Sequence, residues 1–354
     1  EDRLIWLIGL YEYMSHNYAT AVKNWEKLLA QTDDASMKTT SYFWLARAYT
    51  EMGRKSEARS YMVRLTQEYP LSYYSVVAPI ETGLLSKPMW PDVFGDLTQL
   101  SKKFKERSGQ YDLATLRREP VSGRLLMRAE VLVSAGLHKW AQIATNELSG
   151  RINRYSVSAY PGLYVYLSRL HYGAGNYLAA IAVTTKVANE VDRFWQAWPE
   201  QLLVYFPRPY ADVFQRNSLD NAVSEELLFG ISRQESGFRA DIRSHANAIG
   251  IMQLIPPTGE RFRSGIAESK PIESVLLDPE ANIAIGSRYL KYLSVYYKGN
   301  QPHVFAGYNA GEYAVDAWIE RRAQPDPLVF IETIPFGETK GYVKNVWRNL
   351  RVYR

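Results

Sequence analysis

Apolar residues recur at three- and four-residue spacing along most of the chain, and no long stretch alternates apolar with polar. That period predicts helices throughout and no extended sheet. The first half reads as helix pairs. "NYATAVKNWEKLLAQ" from Asn17 and "RKSEARSYMVRLTQEYP" from Arg54 each follow a small turn and place an alanine, Ala21 or Ala58, at equivalent points 37 residues apart. "AGLHKWAQIATNEL" and "GAGNYLAAIAVTTKV" repeat the arrangement, with Ala141 and Ala180 39 residues apart. A small residue where two helices must approach, followed by an apolar 3.6-period face, predicts a degenerate helical repeat of tetratricopeptide type or a relative. The aromatics Tyr42, Phe43, Trp44 and Tyr49 fall in one first helix of a pair, and the plain reading of such a stripe is core.

The repeat pattern stops near residue 205. "RFWQAWPEQLLVYFPRPYADVF" carries Pro199, Pro207 and Pro209 among large aromatics, and each proline disfavours a continuous helix. A domain boundary is expected there, giving an α-superhelical repeat and linker region over 1–205 and a second helical domain over 206–354. In the second, Ser224 reads as an N-cap with Glu225 and Glu226 in a favourable first turn. Loops are expected at "RSHANAIG", "IPPTG" and "RAQPDP".

Composition removes several classes of chemistry. The 354 residues hold no cysteine, so disulfides, thiolate zinc sites and a cysteine nucleophile are excluded. The five histidines are scattered without metal-ligand spacing, and no glycine-rich phosphate loop is present. Neither a metal nor a cofactor is expected. Net charge is +5, without the dense Lys/Arg run that marks a nucleic-acid footprint. From Pro207 onward 18 Lys and Arg face 17 Asp and Glu, so most of the excess lies in the helical region before it, where it favours an acidic polymer. No apolar run reaches the ~18 residues of a membrane span. The chain starts at Glu1 without a basic-then-apolar leader, so an export signal is expected to have been removed or never to have existed.

The candidate for carrying chemistry is Glu235. Leu227, Leu228, Ile231, Gln234 and Glu235 share one helix face, and Gly237 offers a left-handed cap just beyond. Apolar neighbours disfavour the charged form. So does the negative end of the helix dipole. Both push the carboxyl pKa upward, and a glutamate protonated near neutral pH is what general-acid chemistry requires. The plain alternative is an exposed residue at a frayed helix end. Further on, "IGIMQLIPPTG" sets a polar Gln253 between Met252 and Leu254, and if buried it needs a hydrogen-bond partner. "FAGYNAG" sets Tyr308 and Asn309 among small residues, and "FIETIPFGETKGYVKNV" puts Glu332 in an apolar context with Tyr342 downstream.

Taken together, Glu235-Ser236, Gly250-Ile251-Met252-Gln253, Tyr308-Asn309-Ala310-Gly311, and Glu332-Thr333-Ile334-Pro335-Phe336 followed by Gly341-Tyr342-Val343 resemble the soluble lytic transglycosylases of family 1, which cleave bacterial peptidoglycan. The match covers the last third closely and the repeats loosely. Departures are Asn247 for the usual glycine, Ile251 for leucine, Gly307 for alanine, and Glu312-Tyr313 for proline and glycine.

The resemblance implies an all-α protein, an α-superhelix followed by a lysozyme-like catalytic domain. It implies that Glu235 is acid and then base in cutting the β-1,4 bond between N-acetylmuramic acid and N-acetylglucosamine, leaving a 1,6-anhydromuramoyl end. Ser244 and Gln253 would bind sugar hydroxyl or N-acetyl groups, and Tyr308 and Asn309 would lie beside the reacting sugar. Glu332 would line the cleft and Tyr342 would stack or hydrogen-bond across it, though for these two a purely structural role is an equal reading. The expected partners are glycan strands, with protein partners through the repeats, in the periplasm of a bacterium. A hydrolytic muramidase and a non-catalytic glycan-binding scaffold are the other readings. Asp241, six residues after Glu235, reads as a turn or solvated residue.

Overall fold

A computed structural model describes residues 1–84, 102, 111, 113–322 and 325–354. Among the described residues the protein is all-α. Its nearest approach to a sheet is a pair of isolated antiparallel bridges, Arg243–Ile249 and Ile249–Leu254. No helix among them is long and apolar enough to cross a membrane. The chain divides into two compact units, Glu1–Val93 and Phe94–Arg354, so residue 205 lies inside the second.

The first unit holds helices α1 (Asp2–Met14), α2 (Tyr18–Gln31), α3 (Ala35–Glu51) and α4 (Lys55–Glu68), then the short α5 (Tyr73–Val76) and α6 (Ala78–Glu81). The alanine stripe does what its size allows: Ala21 and Ala58 are buried. Tyr42, Phe43, Trp44 and Tyr49 are core. Trp44 packs edge-on to Tyr13 at 5.1 Å, and Phe43 stacks on Tyr74 at 5.4 Å.

The second unit opens with more pairs. These are α7 (Ala114–Arg118), α8 (Pro120–Ser134), α9 (His138–Ile152), α10 (Pro161–Gly173) and α11 (Tyr177–Glu190). Four turns, two in each unit, share one hydrogen-bond pattern. At α1–α2, α3–α4, α8–α9 and α10–α11 the N–H groups of Asn17, Arg54, Leu137 and Asn176 donate to the carbonyls of Glu12, Tyr49, Leu132 and His171 at 2.8–3.0 Å. The residue before each donor has positive φ: His16, Gly53, Gly136 and Gly175. This six-to-one bond over a left-handed residue satisfies the last carbonyls of the first helix and turns the chain sharply. It accounts for the repeated small-residue turns in the sequence.

The prolines end the regular pairing as expected. Residues 194–205 form three single turns: α12 (Phe194–Ala197), a 3-10 turn (Pro199–Gln201) and α13 (Leu202–Tyr205). Then follow α14 (Ala211–Asn221), α15 (Glu225–Ser236), α16 (Pro256–Phe262), α17 (Ile272–Leu276), α18 (Pro279–Tyr296), α19 (Gln301–Ala310), α20 (Glu312–Arg322), α21 (Pro327–Thr333) and α22 (Gly337–Tyr353). "IPPTG" is not a loop: α16 starts at Pro256. Proline lacks the N–H that a first helical turn leaves unbonded, so a Pro-Pro pair starts a helix as readily as it stops one. Of "RAQPDP", Ala323 and Gln324 lie outside the described residues.

Candidate active site

Helix α15 is capped as its sequence dictates. The Ser224 hydroxyl accepts from the Leu227 N–H at 3.3 Å, and Gly237 closes the helix at φ +57°. Leu228, Phe229 and Ile231 are buried. At Gly230 an added Cβ would sit 3.2 Å from the backbone nitrogen of Leu350, so the missing side chain lets α22 run close alongside. The Asn349 amide then donates to the Gly230 carbonyl at 3.2 Å. Arg233 lies over the rings of Tyr205 and Phe206, 4.4 Å from each centroid, and donates to the Tyr205 carbonyl at 2.9 Å. The last turn of α15, which carries Glu235, is thus held from two sides.

The loop after α15 is folded back against it. Ser236 donates through its hydroxyl to the Ile251 carbonyl at 2.7 Å and accepts from the Arg239 N–H at 3.1 Å. Asn282 on α18 accepts from the Met252 N–H at 2.8 Å, and its amide donates to the carbonyls of Ile249 and Leu276 at 2.9 and 2.8 Å. A Cβ at Gly250 would lie 2.3 Å from the Leu276 carbonyl oxygen and 2.4 Å from the Asn282 amide nitrogen. With φ at +82° as well, only glycine fits there. Met252 is buried against Gly286, a packing residue. Gln253 is half-buried, and its amide donates to the carbonyls of Gly250 at 2.9 Å and Ile242 at 3.3 Å.

These elements enclose a cavity of about 780 Å³. Glu235, Ser244, Gln253, Tyr308, Asn309 and Tyr342 all line it, although they come from α15, the folded loop, α19 and α22. Tyr342 donates to the Glu235 carboxyl at 2.5 Å. Tyr308 donates to the Met252 carbonyl at 2.8 Å. Asn309 accepts from the Thr339 hydroxyl at 2.7 Å, and Ser244 accepts from the Ala248 N–H at 3.0 Å.

Glu332 is not among the residues lining this cavity. It is buried, and Lys344 on α22 pairs with its carboxylate at 2.9 Å. Lys340 holds its carbonyl at 2.5 Å. The apolar context of Glu332 signalled its burial. Asp241 is exposed and pairs with Arg239 at 2.9 Å. Two further carboxyl groups line the cavity: Glu312, tied to Arg261 at 3.3 Å and Tyr289 at 3.4 Å, and Glu338. The signal for Glu338 was available, since it stands four residues before Tyr342 and so shares its helix face.

Part of Glu235 reaches the cavity, yet protein crowds its carboxyl. Burial pushes the carboxyl up from an ordinary 4.5 to about 8. The Tyr342 hydroxyl opposes this by bonding the anion, and the like charge of Glu338 adds to it. Tyr308 and Tyr342 are both held well above the usual tyrosine range, by burial first and by the Glu235 charge second. They serve as neutral hydrogen-bond donors. Among the described residues no group of three or more His, Asp or Glu side chains is arranged to hold a metal ion.

Residues 212–330, which hold Glu235 and most of the cavity lining, match the family described as the transglycosylase SLT domain. Residues 40–72 match a tetratricopeptide repeat. The chain is 38% identical over 153 residues to the soluble lytic murein transglycosylase of Escherichia coli K12, covering 42% of this chain and 23% of that protein. It is 30% identical over 168 residues to membrane-bound lytic murein transglycosylase C of Actinobacillus succinogenes, covering 42% of this chain and 47% of that one. Among solved structures, an inactive mutant of lytic transglycosylase Slt from Pseudomonas aeruginosa matches all of this chain over 52% of its own, with a TM-score of 0.74 at 23% identity. The 70 kDa soluble lytic transglycosylase of Escherichia coli matches 94% of this chain over 48% of its own, with a TM-score of 0.67 at 26% identity. The chain thus spans about half the length of these solved relatives.

Proposed function

We propose that this protein is a peptidoglycan lytic transglycosylase in which Glu235 alone performs both proton transfers. The observation that carries the reading is the carboxyl of Glu235, pushed to about 8 by burial and bonded by Tyr342 in a cavity large enough for sugar rings. The matching family model covers this part of the chain, and a relative named as a soluble lytic murein transglycosylase matches 42% of the chain. Protonated Glu235 gives its proton to the glycosidic oxygen between N-acetylmuramic acid and N-acetylglucosamine, and the bond from C1 to that oxygen breaks. The sugar's own 2-acetamido group stabilises the cationic C1. The glutamate, now ionised, takes the proton of the same sugar's C6 hydroxyl, and that oxygen bonds to C1. The product is a 1,6-anhydromuramoyl end, with no water consumed and Glu235 restored to its acid form.

Ser244, Gln253, Tyr308 and Asn309 are the sugar-binding wall in this reading, and Tyr342 orients the Glu235 carboxyl. Glu332 contributes by holding α21 to α22 through Lys344. The helical repeats guide glycan strands or dock protein partners, and 205/206 remains the functional boundary we propose between them and the catalytic part. The substrate places the enzyme in the periplasm of a bacterium.

Hydrolysis is the second reading, and Glu338 favours it. Glycosidases that add water use a second carboxyl group at about 5–9.5 Å, and Glu338 lines the same cavity. Mass measurement of released muropeptides separates the two. Products one water lighter, without reducing ends, are expected; reducing ends throughout would show hydrolysis.

A further inference from the structure

Of the two carboxyl groups that share the cavity with Glu235, Glu312 is held by Arg261 and Tyr289. Glu338 is different. It is exposed in the first turn of α22, and no lysine or arginine among the described residues pairs with it. Of the two lysines nearest in sequence, Lys340 donates to the Glu332 carbonyl and Lys344 pairs with the Glu332 carboxylate. Glu338 also stands one helical turn before Tyr342, on the same face, and Tyr342 bonds Glu235 directly. Among the described residues, no Lys, Arg or His lines the cavity.

We propose that Glu338 is a positioning residue that acts on Glu235 through its charge, holding the acid in its protonated form before substrate is cleaved and strengthening it as a base afterwards. A like charge across a cavity disfavours ionisation, and among the described residues no cationic side chain lines this cavity to cancel it. The titratable groups that share the cavity lining with Glu235 are Tyr289 on α18, Tyr308 on α19, Glu312 on α20, and Glu338 and Tyr342 on α22. The three tyrosines are all raised, so none competes for the charge. Glu312 is compensated by Arg261. Glu338 is left as the charge that biases Glu235, and the upward push it gives Glu235 agrees in direction. The same carboxylate gains a second use once the sugar carries positive charge at C1, which an anion on the cavity wall stabilises.

This inference rests on the transglycosylase reading for its purpose but not for its test. The carboxyl of Glu235 is titrated by carbon-13 NMR in the intact protein, with no substrate present, for the wild type, Glu338→Gln and Glu338→Asp. In Glu338→Gln the midpoint is expected to fall by roughly 0.2–0.7 unit, the size of a solvent-screened charge pair. Glu338→Asp is expected to keep most of the wild-type midpoint, because it keeps the charge. Added salt is expected to shrink the difference between wild type and Glu338→Gln. An unchanged midpoint in Glu338→Gln, or equal shifts in both variants, would overturn the proposal. If the midpoint moves while muropeptide products show reducing ends, the electrostatic role stands and the transglycosylase reading fails.

Discussion

Two glutamates in this protein occupy nearly the same local position and have opposite fates. Glu235 and Glu332 are each the second-last residue of a helix, each is followed by a hydroxyl residue, and each is drawn inward by apolar neighbours. Both therefore face the same problem, a carboxylate taken out of water near the negative end of a helix. At Glu332 the solution is Lys344, 2.9 Å away. At Glu235 no cation arrives. A tyrosine hydroxyl and a second carboxyl group stand there instead, and the side chain keeps its proton up to about pH 8. A buried glutamate with a lysine is architecture, and one without is a reservoir of a proton. The pairing partner decides, and it lies on another helix in both cases.

The largest expected effect breaks the comparison at its functional end. Glu235→Gln should lower the rate of muropeptide release by about 10²–10⁴, the usual worth of a general acid–base group. Glu332→Gln should leave a far smaller defect in the same assay. Next in size, Lys344→Met should destabilise the protein by about 3 kcal/mol, because it strands the Glu332 carboxylate in the interior. Thermal melting of the variant checks this. The double change Glu332→Leu with Lys344→Met should recover most of the loss.

Tyr342→Phe should cost roughly tenfold in activity, the worth of about 1.5 kcal/mol from a hydrogen bond to a charged group. That bond favours the ionised form of Glu235, so its removal raises the carboxyl further. The alkaline edge of the pH–activity profile should move upward in this variant, and a downward move would contradict the assignment.

A further effect concerns stability and has the opposite sign to that at Lys344. The folded pKa of Glu235 lies above its ordinary 4.5, so the native state holds the proton more tightly than the unfolded chain. Stability is then lost as pH rises from 4.5 towards 8. Glu235→Gln has no proton to lose, and should melt a few degrees above the wild type at alkaline pH while differing little in acid. Equal melting temperatures at alkaline pH would argue against a raised carboxyl.

Much of the fold was legible because its rules are local. The 3.6-residue period, the alanines at 21, 58, 141 and 180, the Ser224 cap and the Gly237 terminus all act within a few residues of themselves, and each appears where its chemistry predicts. The left-handed turn residues were visible as glycines in three of the four repeated turns and hidden in the fourth, where His16 takes the same conformation. The direction of the Glu235 shift was also legible, since its apolar neighbours lie on its own helix. What escaped was long-range. Asn282, which ties the loop backbone at Ile249 and Met252 to the end of α17 at Leu276, gives no sign of that from its place inside α18. The sequence context of Glu332 matched that of Glu235 in hydrophobicity, but hydrophobicity cannot name a partner twelve residues on. Glu338 was passed over because exposed glutamates in a first helical turn are ordinary, and only the packing of α22 beside α15 brings this one into the cavity.

The central claim is that a single carboxyl group stays protonated at neutral pH because it is buried without a cation. Carbon-13 titration of the Glu235 side chain in the free protein tests it without any assumption about substrate. The expected result is a midpoint near 8, absent from Glu235→Gln. A midpoint near the ordinary 4.5 would contradict the account, since the group would then be ionised when it has to give a proton away.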